Sequence, residues 1–167
     1  MDGGLLAARQ AIDDAAGHLT PDVIGRAVAG RWSIGEILEH LTLAFSANAD
    51  ALEKTLASGE LRVRRPSWKQ TAGRILVLDL GHFPKVKAPV MTVPSGTVDP
   101  ANSLTAIRAA LARVDDVLTR VATRFGDRVA VVNHPYFAGL SVTQWRRLHR
   151  RHTIHHMRQV RSILRTT

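Results

Sequence analysis

Apolar residues recur every three or four positions along three long segments of the chain, and this spacing is that of amphipathic helices. The clearest segment covers residues 34–57, and two others cover 102–125 and 141–164. A shorter stretch over 5–17, rich in leucine and alanine, predicts a further helix near the start of the chain. The sequence therefore predicts four main helices, which have to pack on one another to bury their apolar sides.

The ends of two of these helices carry recognisable capping residues. Ser33 is followed three positions later by Glu36, and Ser141 is followed in the same way by Gln144. Each pair predicts a capping box, in which the serine and the longer side chain satisfy backbone N–H groups of the first helical turn. Gly126 is placed to end the third main helix.

Prolines and glycines interrupt the segment between the second and third main helices. They are Gly81, Pro84, Pro89, Pro94, Gly96 and Pro100. Residues 67–80 fit a short helix, 81–100 are predicted to form a long crossover loop or a lid, and 127–140 are predicted to be a loop. Four main helices with one long crossover predict an all-α four-helix bundle, folded as a single domain over residues 1–167.

Length and residue content exclude several classes of protein. A chain of 167 residues corresponds to one domain. It contains no cysteine, which excludes disulfide scaffolds, thiolate metal sites and cysteine nucleophiles. It has no apolar run long enough to span a bilayer and no export signal at its start, so we expect a cytoplasmic protein without a membrane partner.

The charge balance has two interpretations. The chain carries 23 Lys and Arg against 14 Asp and Glu, a net charge of +9. On the last helix the arginines are predicted to share the side opposite the histidines and to point to solvent; they are Arg146, Arg147, Arg150, Arg151, Arg158, Arg161 and Arg165. This arrangement is typical of a solvated helix face, and the alternative is an anion-binding surface. Specific nucleic-acid binding is not expected, because no aromatic residues alternate with the arginines to stack on bases.

Three of the eight histidines are candidates for a metal site. His152 and His156 lie one turn apart on the last helix, so their imidazoles can point at a single ion. His40 lies at the border of the apolar stripe of the second main helix, and it joins them if these two helices are neighbours. Three imidazoles with a free coordination position are typical of catalytic zinc. The structural alternative for His40 is a buried ring that hydrogen-bonds a backbone carbonyl.

Five further residues are candidates for supporting positions. Gln159 lies one turn beyond His156, where its amide could hold a ligand imidazole; a surface glutamine is the alternative. His149 and His155 are each either such a supporting group or exposed, and exposure is the expectation for His155. His134 is a candidate for the entrance to the site. Tyr136 is a candidate substrate contact, with a packing residue at the end of the bundle as the alternative.

Several short motifs occur in the order and spacing of one known family. They are Trp32-Ser33, Ile37-Leu38-Glu39-His40-Leu41, His134-Pro135-Tyr136-Phe137-Ala138-Gly139, Trp145 and His152-Thr153-Ile154-His155-His156-Met157-Arg158-Gln159. Together they resemble the DinB/YfiT-like superfamily, and within it a branch described as a domain of unknown function. The resemblance implies an up-down-down-up bundle in which His40, His152 and His156 hold a divalent ion, zinc or nickel. It also marks Trp145 as a residue near the site.

The resemblance also implies the class of reaction. Characterised relatives include transferases that use bacillithiol, mycothiol or glutathione-like thiols, and a maleylpyruvate isomerase. We therefore expect a metal-dependent thiol transferase or hydrolase, with a low-molecular-weight thiol or another small molecule as its partner. The alternatives are a metal-stabilised bundle without turnover, often a homodimer, and an anion-binding or nucleic-acid-binding protein that uses the arginines of the last helix.

Overall fold

The computed structural model describes residues 1–84 and 87–166, and these residues are mostly helical. The α-helices are α1 (Gly3–Ala16), α2 (Pro21–Gly25), α3 (Ile34–Ser58), α4 (Trp68–Arg74), α5 (Pro100–Phe125) and α6 (Val142–Leu164). A π-helical turn (Ile75–Asp79) continues α4, a 3-10 turn covers Val90–Thr92, and β1 (Ala130–His134) pairs with β2 (Ala138–Ser141). The predicted main helices are α1, α3, α5 and α6, and they pack as the predicted bundle.

Helices α3 and α5 lie side by side and run in the same direction. Arg113 of α5 donates a 2.7 Å hydrogen bond to Asp50 of α3, and Arg124, farther along α5, donates to the Leu56 carbonyl, farther along α3. A helix as long as α3 extends about 38 Å at 1.5 Å per residue, so the chain has to return over that length before α5 can start. The predicted long crossover supplies this return, although residues 85 and 86 of it lie outside the described part.

Helix α6 runs opposite to α3. His40, near the start of α3, lies beside His152 of α6, and Phe45, one turn later on α3, lies beside His149, one turn earlier on α6. This antiparallel packing is what brings the histidines of the two helices together.

Helix α1 runs opposite to α5. The Asp2 N–H, at the start of α1, donates to the Asp115 carboxylate, whereas Asp13 near its end accepts from Arg108, two turns earlier on α5. The four main helices therefore run up, down, down and up in chain order, as the resemblance implied.

The predicted capping boxes form at both helix ends. Ser33 Oγ accepts from the Glu36 N–H at 3.1 Å, and the Ser33 N–H donates to the Glu36 carboxylate at 2.7 Å. Ser141 and Gln144 exchange the same pair of bonds at the start of α6. The start of the histidine helix is therefore fixed by its own sequence.

The prediction that residues 127–140 form a loop was wrong, because this segment contains the β1–β2 hairpin. The strands pair between Ala130 and Ser141, and the turn gives Ala138 a positive φ of 56° without a glycine there. The Asn133 side chain ties the hairpin to the segment before α4, since it donates to the Arg62 carbonyl at 2.9 Å and accepts from the Arg64 N–H at 2.8 Å. Short strands held by such distant contacts leave little trace in local sequence.

The prediction that all seven arginines of α6 point to solvent was also wrong in part. Arg146, Arg150 and Arg151 are half-buried, because α1 and the π-helical turn pack against this side of α6. Arg146 donates to Thr119 Oγ1 at 3.0 Å and lies 3.8 Å from the Asp2 carboxylate. Long arginine side chains can cover neighbouring apolar surface while keeping their charged ends solvated or paired.

Within residues 1–84 and 87–166, no helix is both long enough and apolar enough to cross a membrane.

Candidate metal centre

The three histidines predicted from the sequence meet in space. His152 Nε2 lies 3.0 Å from His156 Nε2 on the same helix and 3.3 Å from His40 Nε2 on α3. The ligand atoms that the three rings offer all lie within 4.8 Å of one another. His40 and His156 are buried, and His152 is partly exposed. The cluster therefore sits at the edge of the α3–α6 contact with one ring open to the outside.

Hydrogen bonds on the far side of two rings fix their tautomers. His40 Nδ1 donates to the Thr92 carbonyl at 2.7 Å, and His156 Nδ1 donates to Gln159 Oε1 at 2.8 Å. Because a carbonyl oxygen can only accept, both Nδ1 atoms carry the proton, and the Nε2 atoms present lone pairs to the cluster. Metal-binding imidazoles are oriented in the same way.

Burial keeps these rings uncharged. It lowers the pKa of His156 to about 3, with a further contribution from the nearby His40. Burial also lowers the pKa of His40. The pKa of His152 lies well below its ordinary value because of burial and of electrostatic repulsion from His156 and His40. Neutral imidazoles are the form that binds metal ions, so the site loses little affinity to competing protons at neutral pH.

The two Nε2–Nε2 distances around His152 fit a divalent ion. Three imidazoles bound at 2.0–2.1 Å in a tetrahedral site have nitrogens about 3.3 Å apart, and the observed separations between the Nε2 atoms are 3.0 and 3.3 Å. Three uncharged imidazoles, two of them buried, that face one another without a carboxylate are otherwise an unfavourable arrangement. An all-imidazole donor set suits zinc and nickel alike.

Two aromatic rings and the crossover surround the cluster. Trp32 lies 5.0 Å from His40 between ring centroids, and Phe83 of the crossover stacks on His152 at 5.8 Å and on His155 at 4.8 Å. Sequence reasoning missed the roles of Phe83 and Thr92. Both lie in an irregular segment, where no periodicity indicates which side chain turns inward.

Glu39 fastens the crossover beside the cluster. Its carboxylate accepts from the Ser95 N–H at 2.9 Å, from Ser95 Oγ at 2.6 Å and from the Gly96 N–H at 3.1 Å. Burial raises the pKa of Glu39, but these hydrogen bonds outweigh burial and hold the pKa below its ordinary value. Glu39 and its neighbour His40 thus hold two points of the crossover next to the cluster, which fits both predicted alternatives for this segment, a long crossover loop or a lid.

The supporting residues proposed from the sequence separate into two groups. Gln159 lies where it was predicted, bonded to His156, and its amide also donates to His155 Nε2 at 3.2 Å. The prediction that His155 is exposed was wrong, because its ring is half-buried under Phe83.

A second group of rings lies next to the cluster without touching it. His149 is buried, with its ring stacked on Trp145 at 5.7 Å and edge-on to Phe45 at 5.1 Å. His134 stacks on Phe137 at 4.6 Å and lies 5.6 Å from Trp145. His149 is therefore not exposed, and the described contacts of His134 are with the hairpin and Trp145 rather than with the metal candidates.

Tyr136 contacts the crossover. Its hydroxyl donates to the Lys87 carbonyl at 2.9 Å, and its ring lies 6.0 Å from that of His134. This contact favours the packing alternative for Tyr136 over the substrate-contact alternative.

Gln159 gives a direct test of the supporting hydrogen bond. We expect Gln159→Ala to weaken zinc or nickel binding about 10- to 100-fold, because the His156 ring loses the partner that fixes its tautomer and orientation. Competition with a chromophoric chelator measures the affinity. Gln10→Ala is a matched control on α1, since Gln10 bonds only Asp14 at the surface. Equal affinity in Gln159→Ala and wild type would contradict the assigned role.

Comparison with known proteins places the chain in one family. A family model described as the DinB superfamily matches residues 5–160, nearly the whole chain. Searches of curated proteins and of solved structures gave no match. The predicted resemblance is therefore confirmed at the level of the superfamily.

Proposed function

Because the chain belongs to the DinB superfamily and presents three imidazole nitrogens to one point, we propose that it is a metal-dependent enzyme that catalyses thiol transfer or hydrolysis. His40, His152 and His156 hold the ion, which is zinc or nickel. The supporting observation is that no fourth ligand side chain joins the cluster among the described residues. Catalytic zinc sites keep such a position free, whereas structural zinc sites close it with a fourth protein ligand.

A divalent ion at this site supplies one kind of chemistry, since it lowers the pKa of a coordinated thiol or water and so provides a nucleophile near neutral pH. The chain's residues prepare the site for that ligand. The Thr92 carbonyl and Gln159 accept the Nδ1 protons of two histidines and keep their Nε2 atoms free. Trp32 lies against the ring of His40, and Phe83 stacks on that of His152.

The absence of cysteine from the chain sharpens the thiol half of the proposal. A thiolate ligand at this site has to come from the substrate or cosubstrate, because the chain contains no cysteine. A spectroscopic sign of metal–thiolate bonding therefore reports on a bound small molecule.

Cobalt substitution provides the test. We expect the cobalt-loaded protein to develop a sulfur-to-cobalt charge-transfer band when glutathione, bacillithiol or mycothiol is added. S-methylglutathione is the matched control, because it has the same shape but cannot form a thiolate. His152→Ala is expected to give no band, since one of the three ligands is missing.

A separate assay covers hydrolysis. If no thiol produces the band, hydrolysis of ester and amide substrates by the zinc form and the nickel form remains the expected activity. A metal-loaded protein that neither binds a thiol nor hydrolyses any of these substrates would overturn the enzyme proposal and leave a metal-stabilised bundle without turnover.

A further inference from the structure

An exposed apolar strip runs along α4 and the π-helical turn after it. Trp68 is 76% exposed, Ile75 51% and Leu80 70%, and we call these three residues the apolar strip. Trp68, Ala72 and Ile75 follow one another at spacings of four and three, so they share one face of the element, and Leu80 follows directly after the π-helical turn. Large apolar side chains grouped on one exposed face mark a contact surface, whereas single exposed ones are ordinary.

The strip is held firmly from its inner side. Val77 and Leu78 are buried in the core. The Arg74 guanidinium donates to the Phe137 carbonyl at 2.6 and 2.8 Å and also bonds the Gly139 carbonyl. The element is thus anchored to the hairpin and the core, and its outer apolar face is a fixed feature of the surface.

Basic residues lie at both ends of the strip. Arg64, Arg65 and Lys69 are exposed at its start, and none of them pairs with a carboxylate among residues 1–84 and 87–166. At its far end Arg147 contacts the Asp79 carboxylate, and Arg151 donates to the Asp79 carbonyl at 3.0 Å. The acidic group on this face is therefore neutralised, and the surface around the strip is positively charged.

We propose that the apolar strip and its flanking cations form a docking surface for an anionic lipid bilayer. Tryptophan rings are favourable at the boundary between headgroups and acyl chains, and Ile75 and Leu80 gain by leaving water there. Arginine and lysine next to such a strip are attracted to anionic headgroups. Contact of this kind needs no spanning helix, but it departs from the expectation, drawn from the sequence, that the protein has no membrane partner.

Two other occupants fit the surface less well. A second copy of a chain with a net charge of +9 would bring like charges together around the strip. A single-stranded nucleic acid would suit the cations, but it needs stacking rings, and two of the three residues of the strip are aliphatic. The combination of aliphatic and indole groups with free cations favours lipid.

Vesicle binding tests the proposal on the full chain. We expect cosedimentation with vesicles of phosphatidylcholine and phosphatidylglycerol but not with phosphatidylcholine alone. Replacing both Arg64 and Arg65 by glutamine is expected to weaken partitioning about 30-fold. The matched control is the pair Arg158→Gln and Arg161→Gln on the exposed side of α6, which lowers the net charge equally and should leave binding unchanged.

Tryptophan fluorescence locates the contact. Vesicles are expected to shift the emission to the blue in wild type and in Trp32→Phe but not in Trp68→Phe, with circular dichroism confirming that each variant is folded. Equal binding to neutral and anionic vesicles would overturn the proposal, and so would an equal loss of binding in the α6 control variant. A third contradicting result is that the protein binds no vesicles but binds a single-stranded oligonucleotide through Arg64 and Arg65. The last result would assign the surface to nucleic acid.

Discussion

Replacing His152 by alanine is expected to remove the stoichiometric zinc or nickel that we propose the purified protein binds. His152 is the ring that lies within 3.0 and 3.3 Å of its two partners, so its loss leaves two nitrogens on different helices. A thousandfold loss of affinity removes about 4 kcal/mol of metal-dependent stabilisation at a metal concentration far above Kd. That loss corresponds to a melting temperature about 10 °C lower in the presence of metal.

Inductively coupled plasma analysis measures the bound metal, and differential scanning calorimetry measures the melting temperature with and without it. His18→Ala is the control, because His18 is an exposed histidine outside the cluster. Full retention of metal by a double variant, His152→Ala with His156→Ala, would contradict the site.

A second variant tests whether the site needs the histidine on α3 as well as the pair on α6. His152 and His156 on one helix could bind an ion weakly without α3, whereas the proposed site needs His40 as well. We therefore expect His40→Ala to lose stoichiometric metal too. Retention by His40→Ala together with loss by His152→Ala would reduce the site to the pair on α6.

The metal-free protein is expected to lose most of its stability between pH 6.5 and pH 4.5. Burial lowers the pKa of His149 to about 3, with a contribution from the charge of His134, and burial lowers the pKa of His134 to about 4. In the unfolded chain both rings titrate near pH 6.5. Over the interval between these values the unfolded state binds more protons, so acid favours unfolding.

The size of this effect follows from linkage. Each such histidine removes about 1.4 kcal/mol of unfolding free energy per pH unit below 6.5, so the two rings remove about 5 kcal/mol by pH 4.5. That amount is comparable with the whole stability of a typical small domain. Urea unfolding followed by circular dichroism, in the presence of a chelator, measures it at each pH.

His149→Phe is the informative variant for this prediction. The phenyl ring of the variant can keep the packing of the imidazole against Trp145 and Phe45. The substitution removes Nε2, which has no hydrogen-bond partner among the described residues. We expect the variant to be about 2 kcal/mol more stable than wild type at pH 4.5, relative to the difference between them at pH 6.5, which is the contribution of one such ring. His18→Gln should behave as wild type. Identical acid sensitivity of His149→Phe and wild type would show that the buried ring does not drive the transition.

Much of the helical framework could be predicted because its causes are local. The spacing of apolar residues determines where α3, α5 and α6 lie, and the Ser33 and Ser141 boxes fix where two of them begin. The His152 and His156 pair follows from the helical period alone. The position of His40 on its stripe was also predictable, whereas its contact with α6 rested on the bundle and the resemblance.

Long-range contacts explain what was missed. The β1–β2 hairpin depends on Asn133 bonding to a segment some seventy residues earlier, and Phe83 and Thr92 reach the cluster from an irregular segment. None of these contacts follows a helical spacing, and none joins residues that are close together in the sequence. Half-burial of Arg146, Arg150 and Arg151 likewise follows from where neighbouring elements pack on α6.

The sequence by itself determined the four main helices, two of their starts, the absence of cysteine ligands and the three imidazoles available for a metal. Those properties depend on residue type and on spacings of a few residues. Tertiary structure alone decided that His152 Nε2 lies 3.0 and 3.3 Å from the Nε2 atoms of its two partners, that Thr92 and Gln159 fix two tautomers, and that the crossover contacts His40 through Thr92. These features depend on the antiparallel packing of α3 and α6 and on the path of the crossover, which has no helical periodicity. Only the folded chain brings groups so distant in the sequence within bonding distance.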